Sequence, residues 1–257
     1  MKKEMKDSNY ITMVDRAFEI LEYISNRDKS VGISQIAHEL DLPKANIFRI
    51  LNTLHKWNIV ERSHNDKYDL GKGLIKYGNK AKERIDLISI ASPIVKNLSL
   101  EIGETVNIGI QYEGNVLTVY SEEGESSSLV SKLIPISPLN CSSMGKIFLA
   151  HFTNEEIMKY FQTSNLEKRT INSIVAVEDY LKIRNTILEE NIAFDHEEYE
   201  YGLTCIAAPI KSIDGRVIAA ISVSGPTSRL KFKGMKKIKD KLIDSANTIS
   251  QSGECIS

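Results

Sequence analysis

Two short amphipathic patterns, only three residues apart, constrain this chain most tightly. Ile33, Ile36, Ala37 and Leu40 recur at helical spacing, and after Asp41-Leu42-Pro43 the spacing returns in Ile47, Ile50, Leu51 and Leu54. So short a break forces the two helices to cross steeply, as in a helix-turn-helix. Pro43 is expected at the first position of the second helix, where its missing N–H costs nothing. Lys44, Asn46, Arg49 and Thr53 lie off the apolar stripe. Side chains of these types reach phosphates and base edges in a major groove. The pattern predicts a module that reads double-stranded DNA.

The flanks extend this expectation. Residues 11–26 form a further helical pattern whose apolar face is expected to be Met13, Val14, Ala17, Phe18, Leu21 and Ile24. After the second helix, residues 59–62 and 67–70 flank the turn Ser63-His64-Asn65-Asp66, a β-hairpin signal closed by Gly71. Three helices and a hairpin make a winged helix-turn-helix over residues 1–71. At the hairpin tip His64 and Lys67 are candidates for DNA contact; the competing reading is a solvated turn, which Asn and Asp favour for backbone reasons. Charge is distributed accordingly: residues 1–84 hold 16 Lys and Arg against 12 Asp and Glu, the remainder 17 against 22. A mildly basic module on an acidic remainder suits a polyanionic partner for the first part alone.

Other classes are disfavoured. Cys141, Cys205 and Cys255 are odd in number and lack CxxC spacing, against a disulfide framework or a structural zinc site. The Lys-rich start is followed by no apolar core of signal-peptide type, and no apolar run approaches the ~20 residues of a membrane span. A cytoplasmic protein with no membrane partner, metal or cofactor is expected.

Residues 72–101 are expected to form a linker helix, with Pro93 marking a break or a fresh start. From Glu104 onward strand patterns dominate. Residues 105–111 and 116–121 flank Glu113-Gly114-Asn115, and residues 203–211 and 217–224 flank Asp214-Gly215. Helical patterns cover 144–150, capped by Ser142 or Ser143, then 154–161 and 177–191, and a Lys-rich helix follows Gly234. Residues 122–131, rich in Ser and Glu, are expected to be a loop that closes on a ligand. The fold class is α+β, with residues 102–257 as a second domain around a mainly antiparallel sheet.

Asp214-Gly215 permits a register to be derived. A two-residue type I′ turn would pair Ile213 with Arg216. Counting outward sets Cys205 opposite Ser224 and Ala207 opposite Ser222, all on one face. Ile206, Ala208, Ile221 and Val223 take the other face, as core. The first face is small and weakly polar, leaving room for a ligand. The helix start at Ser143 and Met144 offers backbone N–H groups to an anion, and Asp195 can accept a hydrogen bond from a ligand hydroxyl. Taken singly, each serine reads as an ordinary strand residue and Asp195 as a solvated loop carboxylate; their combination points to a small anionic effector. A thiol-dependent enzyme using Cys205, with His196 as base, is the rival, although a cysteine in an apolar strand is usually a buried hydrophobe. A third reading is an interaction module that uses the helix-turn-helix only as a fold; salt-dependent duplex binding separates it from the first.

Several blocks, in order, resemble the IclR family of bacterial transcriptional regulators: LPKANIFRILNTLHKWNIVER with YDLG, then GETVNIGI, CSSMGKIFLA, DHEEYEYGLTCIAAPI and GRVIAAISVSGP. The resemblance spans about residues 11–241. It implies a GAF-like effector domain for small organic acids, with a pocket formed by Ser143, Met144, Asp195, Cys205, Ser222 and Ser224. Met144 departs from the pattern, since similar proteins have a small residue there. The resemblance also implies homodimers or homotetramers on palindromic operators.

Overall fold

The computed structural model describes residues 11–63, 65–82, 86–124 and 135–252. The chain divides into two compact units, Met1–Arg84 and Ile85–Ser257. His64, Cys255 and most of the expected loop at 122–131 lie outside the described residues.

In the first unit, α1 (Thr12–Ser25), α2 (Ile33–Leu40) and α3 (Lys44–Lys56) precede a wing of β2 (Val60–Arg62) and β3 (Lys67–Leu70), and α4 (Gly73–Lys82) follows. A two-residue strand β1 (Val31–Gly32), too short to read from a pattern, joins β3 to give the order β1-β3-β2. Ile36, Ile47, Ile50, Leu51, Val60 and Tyr68 make the core with Ile20, Tyr23 and Ile24 of α1. Two expectations change. Asp41 takes the left-handed conformation (φ 51°) that ends α2. Pro43 then stands one position before α3, with ψ 129°, where its carbonyl accepts the first helical bonds from Asn46 and Ile47. On α1 the core takes Ile20 and Ile24, so Met13, Val14 and Phe18 are left exposed, Phe18 at 66%. Helical phase puts Ile20 and Tyr23 inward, and the stripe expected to be buried straddles the rim.

The second unit begins with α5 (Asp86–Ile102), then β4 (Thr105–Tyr112), β5 (Asn115–Glu122) and β6 (Ile136–Pro138). Next come α6 (Ser143–Ala150), α7 (Asn154–Thr163), α8 (Val177–Glu190) and β7 (Ala193–His196). The chain then runs through β8 (Leu203–Lys211), β9 (Val217–Pro226), α9 (Thr227–Lys233) and α10 (Met235–Ser252). The sheet order is β6-β5-β4-β9-β8-β7, and each described pairing is antiparallel. Val106, Ile108, Ile206, Ala208, Ile221 and Val223 cover one face and pack with α5 and α10. Ala207, Ala220 and Val116 pack on the other with α6, α7 and α8. Within the 72–101 span the described residues give α4 in the first unit and α5 in the second, and residues 83–85 lie outside them. Helix α5 runs through Pro93 without ending there. Burial of Ala91, Val95 and Leu98 on both sides of the proline holds it in place.

The β8–β9 register is as counted, with Cys205 opposite Ser224 and Ala207 opposite Ser222, but it arises differently. Ser212 accepts from Gly215 N and donates to Arg216 O, so the loop has three residues, with Gly215 at φ 82°. That offset is cancelled at Ile218, where Ile210 pairs with Ala219 and Lys211 with Val217. Such an extra residue is a β-bulge.

Candidate functional site

Helix α3 turns Ile47, Ile50 and Leu51 inward. Lys44, Arg49 and Thr53 are consequently exposed and Asn46 half-buried. The Thr53 hydroxyl donates to the Arg49 carbonyl at 2.9 Å, so it meets DNA only as an acceptor. Ala45, Phe48 and Asn52 lie on the same outer face. Asn52 is a base-reading type absent from the expected set; its spacing from Ala45 and Phe48 was the available signal. On the wing, Lys67 is exposed, and Arg62 grips Asp66 across the tip at 2.7 Å.

The second site is built on the sheet. Strand pairing aligns Thr105, Ser224, Cys205 and Asp195 in one row across β4, β9, β8 and β7. The next row is Ser121, Asn107, Ser222, Ala207 and Ala193. Four of the expected residues thus share one small, polar floor. Thr105, Asn107 and Ser121 were missed: counting outward from Glu113-Gly114 sets Asn107 opposite Tyr120, and only the register shift at Ile108/Gly109 brings Ser121 to it. Asn107 ties the rows together: it accepts from Ser121 Oγ at 2.7 Å and donates to Ser224 Oγ at 3.3 Å. With its oxygen so engaged, the Ser224 hydroxyl hydrogen faces the Cys205 sulfur on the next strand.

Helix α6 packs over this face. Ser142 caps it, accepting from Gly145 N at 3.1 Å. The N–H groups of Ser143 and Met144, in the first turn, have no acceptor within the helix. Met144 reaches over Gly109, where an added Cβ would sit 2.9 Å from its sulfur and 2.5 Å from Val116 Cγ1. Its side chain thereby fills space beside the polar rows.

The electrostatics are unusual for so dry a place. Lys146, fully buried, pairs with Glu198 at 2.5 Å. Its signal was a lysine inside the apolar run MGKIFLA. Asp195 is 1% exposed and accepts from Glu198 N at 2.7 Å and Tyr199 N at 3.4 Å. Burial pushes its carboxyl up to about 7, against the pull of Lys146 and the two N–H groups. Burial and Asp195 likewise push the Cys141 thiol up to about 12 and the Cys205 thiol well above its ordinary range. A thiol held neutral is the reverse of an activated nucleophile. His196 pairs with Thr204, one residue out of step with Cys205, and stacks on Phe194 at 5.0 Å on the opposite side of the strand. The thiol–imidazole pair of the enzyme reading is therefore not formed. A separate cleft of about 390 Å³, between Asn115 and Arg169, contains none of the expected residues. In its wall Asn140 already bonds Ile174 O and Tyr160.

Comparison with known proteins fits both halves. Residues 13–64 match the IclR helix-turn-helix domain, and residues 79–251 match the C-terminal domain of the bacterial transcriptional regulator IclR. The chain belongs to the IclR family. It is 32% identical over 241 residues to the HTH-type transcriptional repressor AllR of Escherichia coli K12, covering 92% of this chain and 88% of that one. Against AllR of Salmonella typhimurium it is 34% identical over 221 residues, covering 84% and 80%. The crystal structure of Thermotoga maritima IclR superposes with a TM-score of 0.73 at 27% identity, covering 95% and 99%. An IclR homolog from Microbacterium hydrocarbonoxydans complexed with 4-hydroxybenzoate has the same fold, with a TM-score of 0.79 at 20% identity over 93% and 98%. The protein is a DNA-binding transcriptional regulator of this family, and the family is one of regulators rather than enzymes. No helix among the described residues is long and apolar enough to cross a membrane.

Proposed function

We propose that the protein binds its operator through α3 and the wing and that a small organic acid on the polar floor adjusts that binding. In this reading residues 1–71 contact DNA, residues 72–101 transmit and residues 102–257 sense. Arg49, Asn46 and Asn52 address base edges, while Lys44 and Lys67 address phosphates. The acid's carboxylate meets the Ser143 and Met144 N–H groups. Its other polar groups meet Asp195, Cys205, Ser222 and Ser224. The observation that carries this reading is the floor itself: two adjacent rows of small polar side chains, in an otherwise apolar sheet, under a helix start.

The exposed stripe Met13, Val14 and Phe18 on α1 supports a dimer, because an apolar ridge of that kind is covered by a second copy more cheaply than by water. A two-fold axis would suit a palindromic operator. The test is a gel-shift titration on the protein's own upstream DNA, with and without a panel of small oxo-, hydroxy- and aromatic acids. The expected result is tight, salt-dependent binding that one class of acid shifts, and Ser222→Ala with Ser224→Ala abolishes the shift while retaining DNA binding. Failure to bind the duplex at low ionic strength would refute the reading.

A further inference from the structure

The cleft between Asn115 and Arg169, of about 390 Å³, has the size of a small-molecule site and shares no residue with the polar floor. Its Asn115 rim lies past the far end of β4. That strand ends at Tyr112, five positions beyond Asn107, which is roughly 16 Å of strand. The inner wall is fixed. Pro138 of β6 pairs with Asn115 of β5. Asn140, 1% exposed, donates to Ile174 O at 2.6 Å and accepts from the Tyr160 hydroxyl at 3.0 Å. That hydroxyl in turn accepts from Leu139 N at 3.0 Å. These hydrogen bonds are made within the protein and give the wall its shape.

The outer wall is different. Arg169 lies over the Tyr199 ring at 4.0 Å, which holds the plane of the guanidinium and leaves its edge for hydrogen bonds. Glu167 stands 3.9 Å from its Nε, beyond hydrogen-bond distance. The Asn115 side-chain nitrogen donates to Glu113 O at 3.2 Å, so its amide oxygen is the acceptor turned to a ligand. Asn165, exposed at the rim, adds a second amide.

We propose that this cleft binds a neutral sugar, as a second ligand site separate from that of the acid. A sugar hydroxyl both donates and accepts, so a site for several of them needs both kinds of group beside an apolar strip for the C–H side of the ring. Arg169 supplies donors, Glu113 and Glu167 supply acceptors, and Asn165 supplies either. Pro138 and Leu166 supply the strip. An anion fits poorly, because two carboxylates line the cleft against one guanidinium. A wholly apolar ligand would strip water from those charged groups and return nothing. Because the inner wall is already held, little ordering accompanies binding.

The experiment is saturation-transfer NMR on the full chain with glucose, galactose, xylose and fructose at millimolar concentration, and with glucuronate, which differs from glucose by one carboxylate. At least one neutral sugar should bind, and glucuronate at least tenfold more weakly than that sugar. Arg169→Gln should weaken the sugar at least tenfold, and Asn165→Ala several-fold; both side chains are exposed, so neither change threatens the fold. Ser222→Ala with Ser224→Ala should leave sugar binding as it is, which makes the result independent of whether an acid occupies the floor. Signal from no neutral sugar overturns the proposal, as does undiminished binding by the Arg169 variant. Tighter binding of glucuronate would make the cleft an anion site, and loss of the sugar in the serine variant would move it to the floor; either overturns the proposal equally.

Discussion

Lys146 and Glu198 form an ion pair that water barely reaches, Nζ to Oε1 at 2.5 Å with side chains 1% and 7% exposed. It joins α6 to the turn after β7, on the side of the sheet that carries the polar floor. Removing one partner strands the other charge in a dry site. Lys146→Met should therefore cost roughly 3–5 kcal/mol of stability. Adding Glu198→Leu should return much of it, because the stranded charge is then gone. Urea unfolding of the single and double variants measures both, and equal stabilities for the two would contradict this account.

Asp195 should make stability depend on pH. Its folded carboxyl titrates near 7 because it is buried, whereas an unfolded aspartate titrates near ~4. Between those values the folded chain holds more protons than the unfolded one, so stability falls as pH rises through about 4 to 7 and loses nothing further above. Asp195→Asn should flatten that part of the profile, the difference amounting to roughly 2–4 kcal/mol. Thermal unfolding of the two proteins across this range is the check. Lys146 and Glu198 bear on the same carboxyl, and both are present in the two proteins compared. An anionic acid on the floor should also bind more tightly as pH falls, since neutral Asp195 no longer repels it.

On α3, Arg49→Ala should weaken operator binding by roughly 1–3 kcal/mol and relax the preference at one base position. Asn52→Ala should behave similarly. Lys44→Ala should instead weaken binding to every sequence alike and reduce the salt dependence by about one counterion. Gel shifts on the operator and on a scrambled duplex, repeated at several salt concentrations, separate the two kinds of role.

Glu104 is buried, and two cations outweigh the burial that would raise its carboxyl, holding it below the usual carboxylate range. Glu104→Ala removes the anchor of α9 and should cost roughly 2–4 kcal/mol, toward the low end because Arg229 and Lys233 can still reach water. Gly225→Ala should destabilise through the same carboxylate, since its Cβ would lie 2.6 Å from Glu104 Oε2. Thermal melts would test both, and a neutral Glu104→Ala would deny the anchoring role.

Much of this architecture was legible in the residues. The helix-turn-helix was readable because each helix has a complete apolar stripe, and the sheet floor because cross-strand partners must share a face. What failed did so for identifiable reasons. Periodicity groups Met13, Val14 and Phe18 together, but it does not say whether the surface covering them belongs to the same chain. Lys146 resembles any long lysine that lifts its charge to solvent; only the fold brings Glu198 to it. Thr105 and Asn107 sit among alternating residues that look like an ordinary solvated strand until β9 is laid beside them.

The extra residue at Ile218 has a consequence at the far end of the hairpin. Had β9 run straight out of its three-residue turn, Val223 would stand across from Cys205, and greasy side chains would meet hydroxyls and a thiol along the whole ribbon. One half-buried isoleucine, which packs with the apolar cluster of the other face, thus decides whether that floor exists. Variants that lose ligand response while sparing every residue in contact with the ligand are most simply sought there.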